Sequence, residues 1–159
     1  MFLVRILAFL LLVLPSEGLG NDTAVFRGSS RYRSDIICTV RDGRIYKGTS
    51  SYRSDVLFSI KDGKIYKGTS SYRSDVIFTL KDGSIYKGNS SYRSDVVASF
   101  KGEALYKGTS SYRSDIIVNF RGGKIYRGTS VYSSDVIASF PDHLSQEELS
   151  AVLYFLGVF

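Results

Sequence analysis

A stretch of twenty residues, repeated in tandem, limits the possible fold of this chain more than any other feature. Residues 45–64 read IYKGTSSYRSDVLFSIKDGK, and residues 65–84 match them at sixteen positions. The Tyr-x-Ser-Asp element recurs every twenty residues with no insertion or deletion. Such a strict period is typical of repeat architectures, in which each unit buries its apolar face only against its neighbours.

Each unit carries the pattern of a β-hairpin. Val56, Phe58 and Ile60 alternate with less apolar neighbours, which is the period of a β-strand. We expect these three positions, apolar in every repeat, to face the core. The position of Leu57 is also apolar in every repeat, which predicts that the neighbouring unit partly covers the second face of the strand.

The Asp-Gly pair after this strand predicts a tight turn, because glycine adopts positive φ without a Cβ clash. A two-residue loop would pair Phe58 with Lys67 and drive a charge into the core face. A three-residue loop with Gly63 in a bulge would pair Phe58 with Tyr66 instead. We expect the three-residue loop, since burying an unpaired ammonium costs far more than rearranging a turn.

The fourth turn departs from this pattern. Gly102-Glu103 displaces the required glycine by one residue, whereas Gly122-Gly123 in the fifth turn retains it. The sequence therefore predicts a different and looser turn in the fourth hairpin.

The two ends of the repeat region indicate how the array is completed. Residues 25–28 carry the motif of a second strand, and residues 135–140 carry the motif of a first strand. Pairing these half-hairpins would make a closed ring with no exposed edge strand. The alternative is an open solenoid of six units that each start at the Tyr-Lys-Gly strand. We expect an all-β repeat protein of six twenty-residue hairpins, closed into a flower-like or propeller-like array.

The period stops at Pro141, and a helix is predicted after it. Ser145 and Glu148 form a capping-box pattern, and Leu149, Val152 and Leu156 follow at helical spacing. We expect an amphipathic helix over about residues 146–156 that covers an open end of the β core. The alternative is a helical surface that touches a membrane or a partner.

The first twenty residues are typical of a secretory signal peptide. One positive charge precedes a short apolar run that Pro15 interrupts, and small residues lead to a cleavage site after Gly20. The run is shorter than a membrane span requires, although a membrane anchor is the alternative. The predicted organisation is a signal peptide (1–20), a six-repeat β domain (21–142) and a C-terminal helix packing on it (143–159), with a secreted or periplasmic location and no stable membrane span after signal removal.

The net charge of +6 comes from basic residues that the repeat spreads along the chain. Mixed charge of this kind is typical of a solvated surface and argues against nucleic acid as a partner. Anionic glycans, lipid headgroups and proteins of the cell envelope stay open as partners.

The sequence offers little material for catalysis. Its one histidine, His143, has no second histidine with which to form a zinc site, and its one cysteine, Cys38, occupies an apolar strand position. Identical repeats give each carboxylate the same environment, whereas acid–base chemistry requires different ones. We therefore expect no enzyme activity, no catalytic residue, no metal site and no cofactor.

The Tyr-x-Ser-Asp elements are the candidate ligand-binding residues. A tyrosine ring beside arginine and serine hydroxyls could stack on a sugar, and a circle of aspartates could bind a cation. The structural alternatives are that each ring packs between hairpins and that each aspartate, with its preceding serine, anchors the connecting turn. The candidates are Tyr32, Tyr52, Tyr72, Tyr92, Tyr112, Tyr132, Asp35, Asp55, Asp75, Asp95, Asp115 and Asp135.

Residues 25–140 resemble the secreted bacterial β-flower proteins, which are small symmetric arrays of hairpin petals. The resemblance rests on the segments DGKIYKG and SYRSDV behind a signal peptide. It implies the fold and an exported location, and little about activity. The function expected is that of an exported, non-enzymatic structural or interaction protein of the cell envelope or secreted fraction. The alternative is a lectin-like, multivalent carbohydrate-binding module.

Overall fold

The computed structural model describes residues 22–159, so the expected signal peptide lies outside the described residues. Twelve short strands form a single closed antiparallel barrel in which each strand neighbours the next in the chain and the last neighbours the first. The strands are β1 (Thr23–Arg27), β2 (Ile36–Arg41), β3 (Arg44–Lys47), β4 (Val56–Lys61), β5 (Lys64–Lys67), β6 (Val76–Lys81), β7 (Ser84–Lys87), β8 (Val96–Lys101), β9 (Ala104–Lys107), β10 (Ile116–Arg121), β11 (Lys124–Arg127) and β12 (Val136–Ser139).

The repeating unit is a hairpin with a two-residue turn. In the second hairpin Lys61 pairs with Lys64, which leaves only Asp62 and Gly63 between the strands. Both turn residues have positive φ, 51° and 70°, as a type I′ turn requires. The three-residue loop expected from the sequence is therefore wrong.

The two-residue turn buries no charge, because Lys67 is the last residue of its strand and lies beyond the apolar interior. Phe58 pairs with Lys67, and both lie on the inner face of the sheet. Strand β5 ends at Lys67, however, and its side chain is exposed. The expectation failed because it extended the core along the whole strand, whereas the apolar interior stops before the last residue.

The fourth hairpin has a different turn of the same length. Lys101 pairs with Ala104 across the two-residue loop Gly102-Glu103. Gly102 has a φ of 58°, whereas Glu103 is not among the residues with positive φ, which fits the Gly-first pattern of a type II′ turn. The turn differs as expected, but it is not looser.

A β-bulge separates each hairpin from the next. Ile65 pairs with Phe78, but the following Tyr66 pairs with Val76, so that Ile77 is the extra residue. Ile77 packs against the core, while Val76 shares the outer face with Tyr66. The expectation that the first apolar position faces the core is therefore wrong. The residues at that outer position are Ile36, Val56, Val76, Val96, Ile116 and Val136.

The barrel closes through its two terminal strands. Phe26 pairs with Ser139, and Arg27 pairs with Ala138, in the register of the other hairpins but without a turn. These two pairs form the seam of the barrel. The ring expected from the half-hairpin ends is confirmed, and the open solenoid is excluded.

A ten-residue helix, α1 (Gln146–Phe155), follows the last strand. The expected capping box is present: the Ser145 hydroxyl accepts a hydrogen bond from the Glu148 amide, and the Glu148 carboxylate accepts one from the Ser145 amide. The helix therefore begins where the sequence predicts. Among the described residues, no helix combines the length and the apolar character needed to cross a membrane.

The helix lies inside the barrel, where it completes the hydrophobic core. Residues 149–153 are all buried, and five successive residues cover more than one full turn, so the helix is surrounded on every side. Gln146 and Leu149 border a cavity at the turn end of the barrel, whereas Phe155 and Leu156 border one at the opposite end. A barrel of this strand number is wide enough to hold a central helix. The side chains of α1 and those of the inner strand face form one continuous core.

Candidate functional site

The loops that join successive hairpins are built by one repeated hydrogen-bond pattern. In the third of them the Ser70 hydroxyl donates to Asp75 and accepts from the amide of Tyr72 at 3.1 Å. The Asp75 amide in turn donates to the Tyr72 carbonyl at 2.9 Å. The same serine–aspartate bond, 2.5–2.6 Å long, occurs in all six loops. These contacts hold each Tyr-x-Ser-Asp element in one fixed conformation.

The six aspartates therefore anchor the loops, as the structural alternative predicted, but with a different serine. The partner lies five residues before the aspartate, as Ser70 does for Asp75, and is not the adjacent serine. Each carboxylate is bound within its own loop. Within residues 22–159, no three side chains of the types His, Cys, Asp and Glu come together. The hypothesis of a cation bound by a circle of aspartates is not supported.

The tyrosines of these loops project into solvent. Tyr32, Tyr52, Tyr72, Tyr92, Tyr112 and Tyr132 are 72–76% exposed. Their rings do not pack between hairpins, so the structural alternative fails for them. The sequence pattern favoured packing because a tyrosine buries a large apolar area when a neighbouring element covers it, and here none does. We call this set of six loop rings the tyrosine belt.

The packing role belongs to a second set of tyrosines, on the short strands. Tyr46, Tyr66 and Tyr126 are 7–9% exposed, and Tyr86 and Tyr106 are half-buried. Each pairs on the outer face with the first apolar residue of the next repeat, as Tyr66 does with Val76. The sequence predicted partial cover of the second face but assigned the position of Leu57 to it, whereas Leu57 packs against the core and the tyrosines take its place. The bulge that causes this exchange leaves no mark in the alternation of apolar residues.

Shallow grooves lie beside the belt, between the connecting loops. One has a volume of about 390 Å³ and is lined by Tyr106, Ser111, Arg113, Asn119 and Arg121. A second groove, of about 200 Å³, lies about three repeats earlier, and its lining includes Ser59, Lys61 and Tyr66. The sequence did not predict these grooves, because they depend on loops from two repeats folding over the outer face.

Polar groups are fixed in the larger groove. The Lys101 ammonium donates to the carbonyls of Thr109 and Ser110 at 3.1 and 2.6 Å and to the Ser111 hydroxyl at 2.7 Å. It also lies 5.6 Å from the centre of the Tyr106 ring, within the range of a cation–π contact. The groove therefore combines an aromatic wall with oriented hydrogen-bonding groups.

The residues with ordinary catalytic potential lie apart from the belt. His143 is exposed in the linker before α1. Cys38 is fully buried, and burial raises the pKa of its thiol to about 12. The thiolate is therefore disfavoured at neutral pH, as expected for a cysteine that serves as a small core residue.

One ion pair perturbs titration at the surface. The Arg41 guanidinium forms two hydrogen bonds with the Asp22 carboxylate. These bonds hold the pKa of Asp22 below its usual value, and the same contact raises the pKa of Arg41. Both side chains are partly exposed, so the pair contributes little to stability.

The six-fold arrangement agrees with a comparison against known protein families. The family described as 6-fold beta flower protein matches the chain twice, over residues 20–82 and 62–155, which together include every repeat. The chain belongs to this family. No curated protein and no solved structure matches the chain. Membership of the 6-fold beta flower family agrees with the expected hairpin-petal architecture and leaves the biochemical function of the chain open.

Proposed function

We propose that this chain is an exported, non-enzymatic interaction protein of the cell envelope or secreted fraction, which binds its targets through the tyrosine belt. The observation that supports this proposal is that six tyrosine rings, 72–76% exposed, occupy equivalent positions. Removing one face of an exposed tyrosine ring from water costs little free energy, and the bound ring contributes a large contact area. Five of the loops also place an exposed arginine directly after the tyrosine.

Repetition suits weak binding to a repetitive target. Each belt loop offers one ring and a few polar groups, which is little for a high-affinity site. Six equivalent loops on one rigid barrel raise the effective concentration of the second and later contacts. The hydrogen bonds within each loop support this role, because a loop that is already ordered loses less entropy on binding. A polymer or a densely covered surface is therefore the expected kind of target.

A non-enzymatic role fits the side chains available between residues 22 and 159. The sole histidine is exposed in a linker, the sole cysteine is buried, and the belt aspartates each bind a serine of their own loop. A catalytic site requires a nucleophile or base held beside a second functional group. Enzymatic turnover that a substitution of His143 abolishes would contradict this part of the proposal.

A lectin-like activity is the second candidate, and the grooves beside the belt favour it. Sugars are bound by aromatic faces together with oriented hydrogen-bonding groups, and the larger groove has both in Tyr106, Ser111 and Asn119. The belt ring adds an exposed stacking surface on the same loops. The predicted ligand is a polysaccharide with regularly spaced residues.

The test is a double substitution in two non-adjacent repeats, Tyr52→Ala with Tyr92→Ala. Retention of the protein on immobilised envelope material and on a panel of immobilised polysaccharides is compared with retention of the unmodified chain. Since avidity depends on the number of engaged sites, we expect retention to fall by roughly tenfold or more. Thermal unfolding should be unchanged, because the removed rings are exposed.

The matched control is Tyr52→Phe with Tyr92→Phe, which keeps the rings and removes the hydroxyls. Retention that survives this change supports stacking, whereas an equal loss assigns the hydroxyls the larger role. Unchanged retention of the alanine variant would overturn the belt as the binding surface. Release by a free sugar supports the lectin candidate. Export is tested separately, by finding in the secreted or periplasmic fraction a chain that begins near Asn21.

A further inference from the structure

The end of the barrel opposite the hairpin turns carries a ring of basic residues. Each short strand ends in a lysine or arginine that shares the inner face with a core residue, as Lys67 does with Phe58. All six side chains are exposed. We call this ring the basic rim, and it consists of Arg27, Lys47, Lys67, Lys87, Lys107 and Arg127.

The centre of the same end is apolar. Arg27 and Lys47 border a cavity of about 720 Å³ together with Ile37, Phe155 and Leu156. The last turn of α1 emerges there, with Tyr154 and Phe155 exposed by 39% and 37%. Around it lie the bulge residues, of which Val97 is 37% exposed. The bulge residues are Ile37, Leu57, Ile77, Val97, Ile117 and Ile137.

The two ends of the barrel differ in the sign of the charged side chains that the strand ends expose. At the turn end, basic residues such as Lys61 and Lys64 flank acidic ones such as Asp62. At the rim, all six residues are basic and exposed, whereas the aspartates that precede the long strands at the same end, such as Asp75, are half-buried and accept a hydrogen bond from a serine of their own loop. The one salt bridge within residues 22–159 is Asp22–Arg41, which involves neither set. Six like charges around one opening attract an anionic partner, because their potentials add.

We infer that this end of the barrel docks on the surface of an anionic lipid bilayer. The basic rim contacts the negatively charged headgroups, and the exposed part of α1 inserts its aromatic side chains between them. An apolar centre within a cationic border is the pattern by which peripheral proteins bind an anionic interface. The inference is independent of the tyrosine belt, which lies on the outer wall.

The apolar centre distinguishes a bilayer from a polyanion. A charged polymer would engage the basic rim but would leave Phe155 and Val97 in water. A bilayer satisfies both parts at once, since the headgroups neutralise the cations and the interface removes the aromatic side chains from water. The cavity beside Phe155 and Leu156 also leaves room for an acyl chain or a headgroup.

The experiment measures co-sedimentation of the chain with lipid vesicles of phosphatidylcholine, with and without about a third of phosphatidylglycerol. We expect at least roughly tenfold stronger binding to the anionic vesicles. Raising the salt to about 1 M, where the screening length is roughly 3 Å, should weaken it strongly. The variant Lys67→Gln with Lys87→Gln should lose roughly tenfold or more, since each cation near the surface contributes to partitioning.

The matched control is Arg73→Gln with Arg93→Gln, which removes the same charge from the belt. It should change vesicle binding by about threefold or less, because exposed charges away from the contact surface are screened. An equal loss in both double variants would show general charge attraction and would overturn docking by the rim.

The apolar part is tested with Phe155→Ser, which should weaken vesicle binding by roughly threefold to tenfold. If this variant does not fold, Val97→Asn tests the same surface from the sheet. Binding that is insensitive to the apolar variant and is removed by a soluble polyanion would identify a polymer as the partner and overturn the inference. Equal binding to neutral vesicles would also overturn it. Tyr52→Ala with Tyr92→Ala should leave vesicle binding unchanged, so this inference and the proposed function fail separately.

Discussion

Each complete repeat contains two tyrosines six residues apart, and their environments are opposite. Tyr66 on strand β5 is 9% exposed, whereas Tyr72 in the following loop is 75% exposed. Tyr66 lies on the outer face of the sheet, where it pairs with Val76 and borders the loop that follows it. Tyr72 belongs to that covering loop and has no element outside it.

The difference shows that position in the layers, and not residue type, assigns a tyrosine to stability or to recognition. The barrel has an inner core around α1 and a thinner outer layer between the sheet and the loops. Tyr66 closes this outer layer, and the serine–aspartate bond of the next loop holds Tyr72 above it. A repeat can therefore vary its exposed ring without changing the layer below.

The largest difference is expected on truncating the two rings. Tyr66→Ala should lower the free energy of unfolding by about 3 kcal/mol, because it leaves a cavity in the outer layer. Tyr72→Ala should change it by about 0.5 kcal/mol or less, as is usual at exposed positions. Equilibrium unfolding in urea measures both values. Similar losses from the two substitutions would contradict the division of roles.

The second prediction concerns the turn that sends Tyr66 to the outer face. Gly63 has a φ of 70°, and an added Cβ would lie 2.8 Å from the carbonyl oxygen of Leu80. Gly63→Ala should therefore cost about 2 kcal/mol through backbone strain and displacement of the next hairpin. Thermal or chemical unfolding measures the loss.

The matched control for the turn is Gly122→Asp. Gly122 occupies the first turn position, which Asp62 holds in its own hairpin with a φ of 51°, and nothing lies within 4 Å of its added Cβ. The substitution should change the free energy of unfolding by about 1 kcal/mol or less in either direction, because the lower entropy of the unfolded chain offsets the cost of a positive φ that aspartate tolerates. A loss as large as that of Gly63→Ala would mean that steric contact with the next hairpin is unimportant.

The smallest effect is expected in the loop that presents Tyr72. Ser70→Ala removes the hydroxyl that bridges Asp75 and the Tyr72 amide, at a cost of about 1 kcal/mol. The loosened loop should also be cut faster by trypsin after Arg73. Ser71→Ala, at the exposed neighbouring position, should change stability by about 0.5 kcal/mol or less. Equal trypsin sensitivity of the two variants would refute the anchoring role of Ser70.

Much of this architecture is predictable because the repeat signals are local. The Asp62-Gly63 pair marks a hairpin, the Ser145 capping box marks the start of α1, and the half-hairpins at residues 25–28 and 135–140 mark the closure. Each of these depends on backbone preferences of a few adjacent residues. The β-flower resemblance pointed to the same fold.

The features that were missed depend on contacts between repeats. The bulge at Ile77 sends Val76 outward, and a period-two pattern cannot reveal one extra residue in a strand. The turn length was misjudged because the end of the apolar interior at Lys67 is set by the barrel and not by the strand. The exposure of Tyr72 likewise follows from where the loop lies. Candidate binding residues were thus identified by type, whereas their exposure and the grooves required the structure.

The seam between β1 and β12 has a consequence for the order of folding. Neighbouring strands elsewhere are joined by short turns or loops, so those hairpins can form early and independently. The seam instead joins strands from opposite ends of the described chain, and the helix that fills the lumen follows β12 after the linker of residues 140–145. Before β1 pairs with β12, the curved sheet is open and α1 can pack on its concave face. After these strands pair, the helix is enclosed. We therefore expect β1 and β12 to pair last, after α1 has packed against the inner face of the sheet.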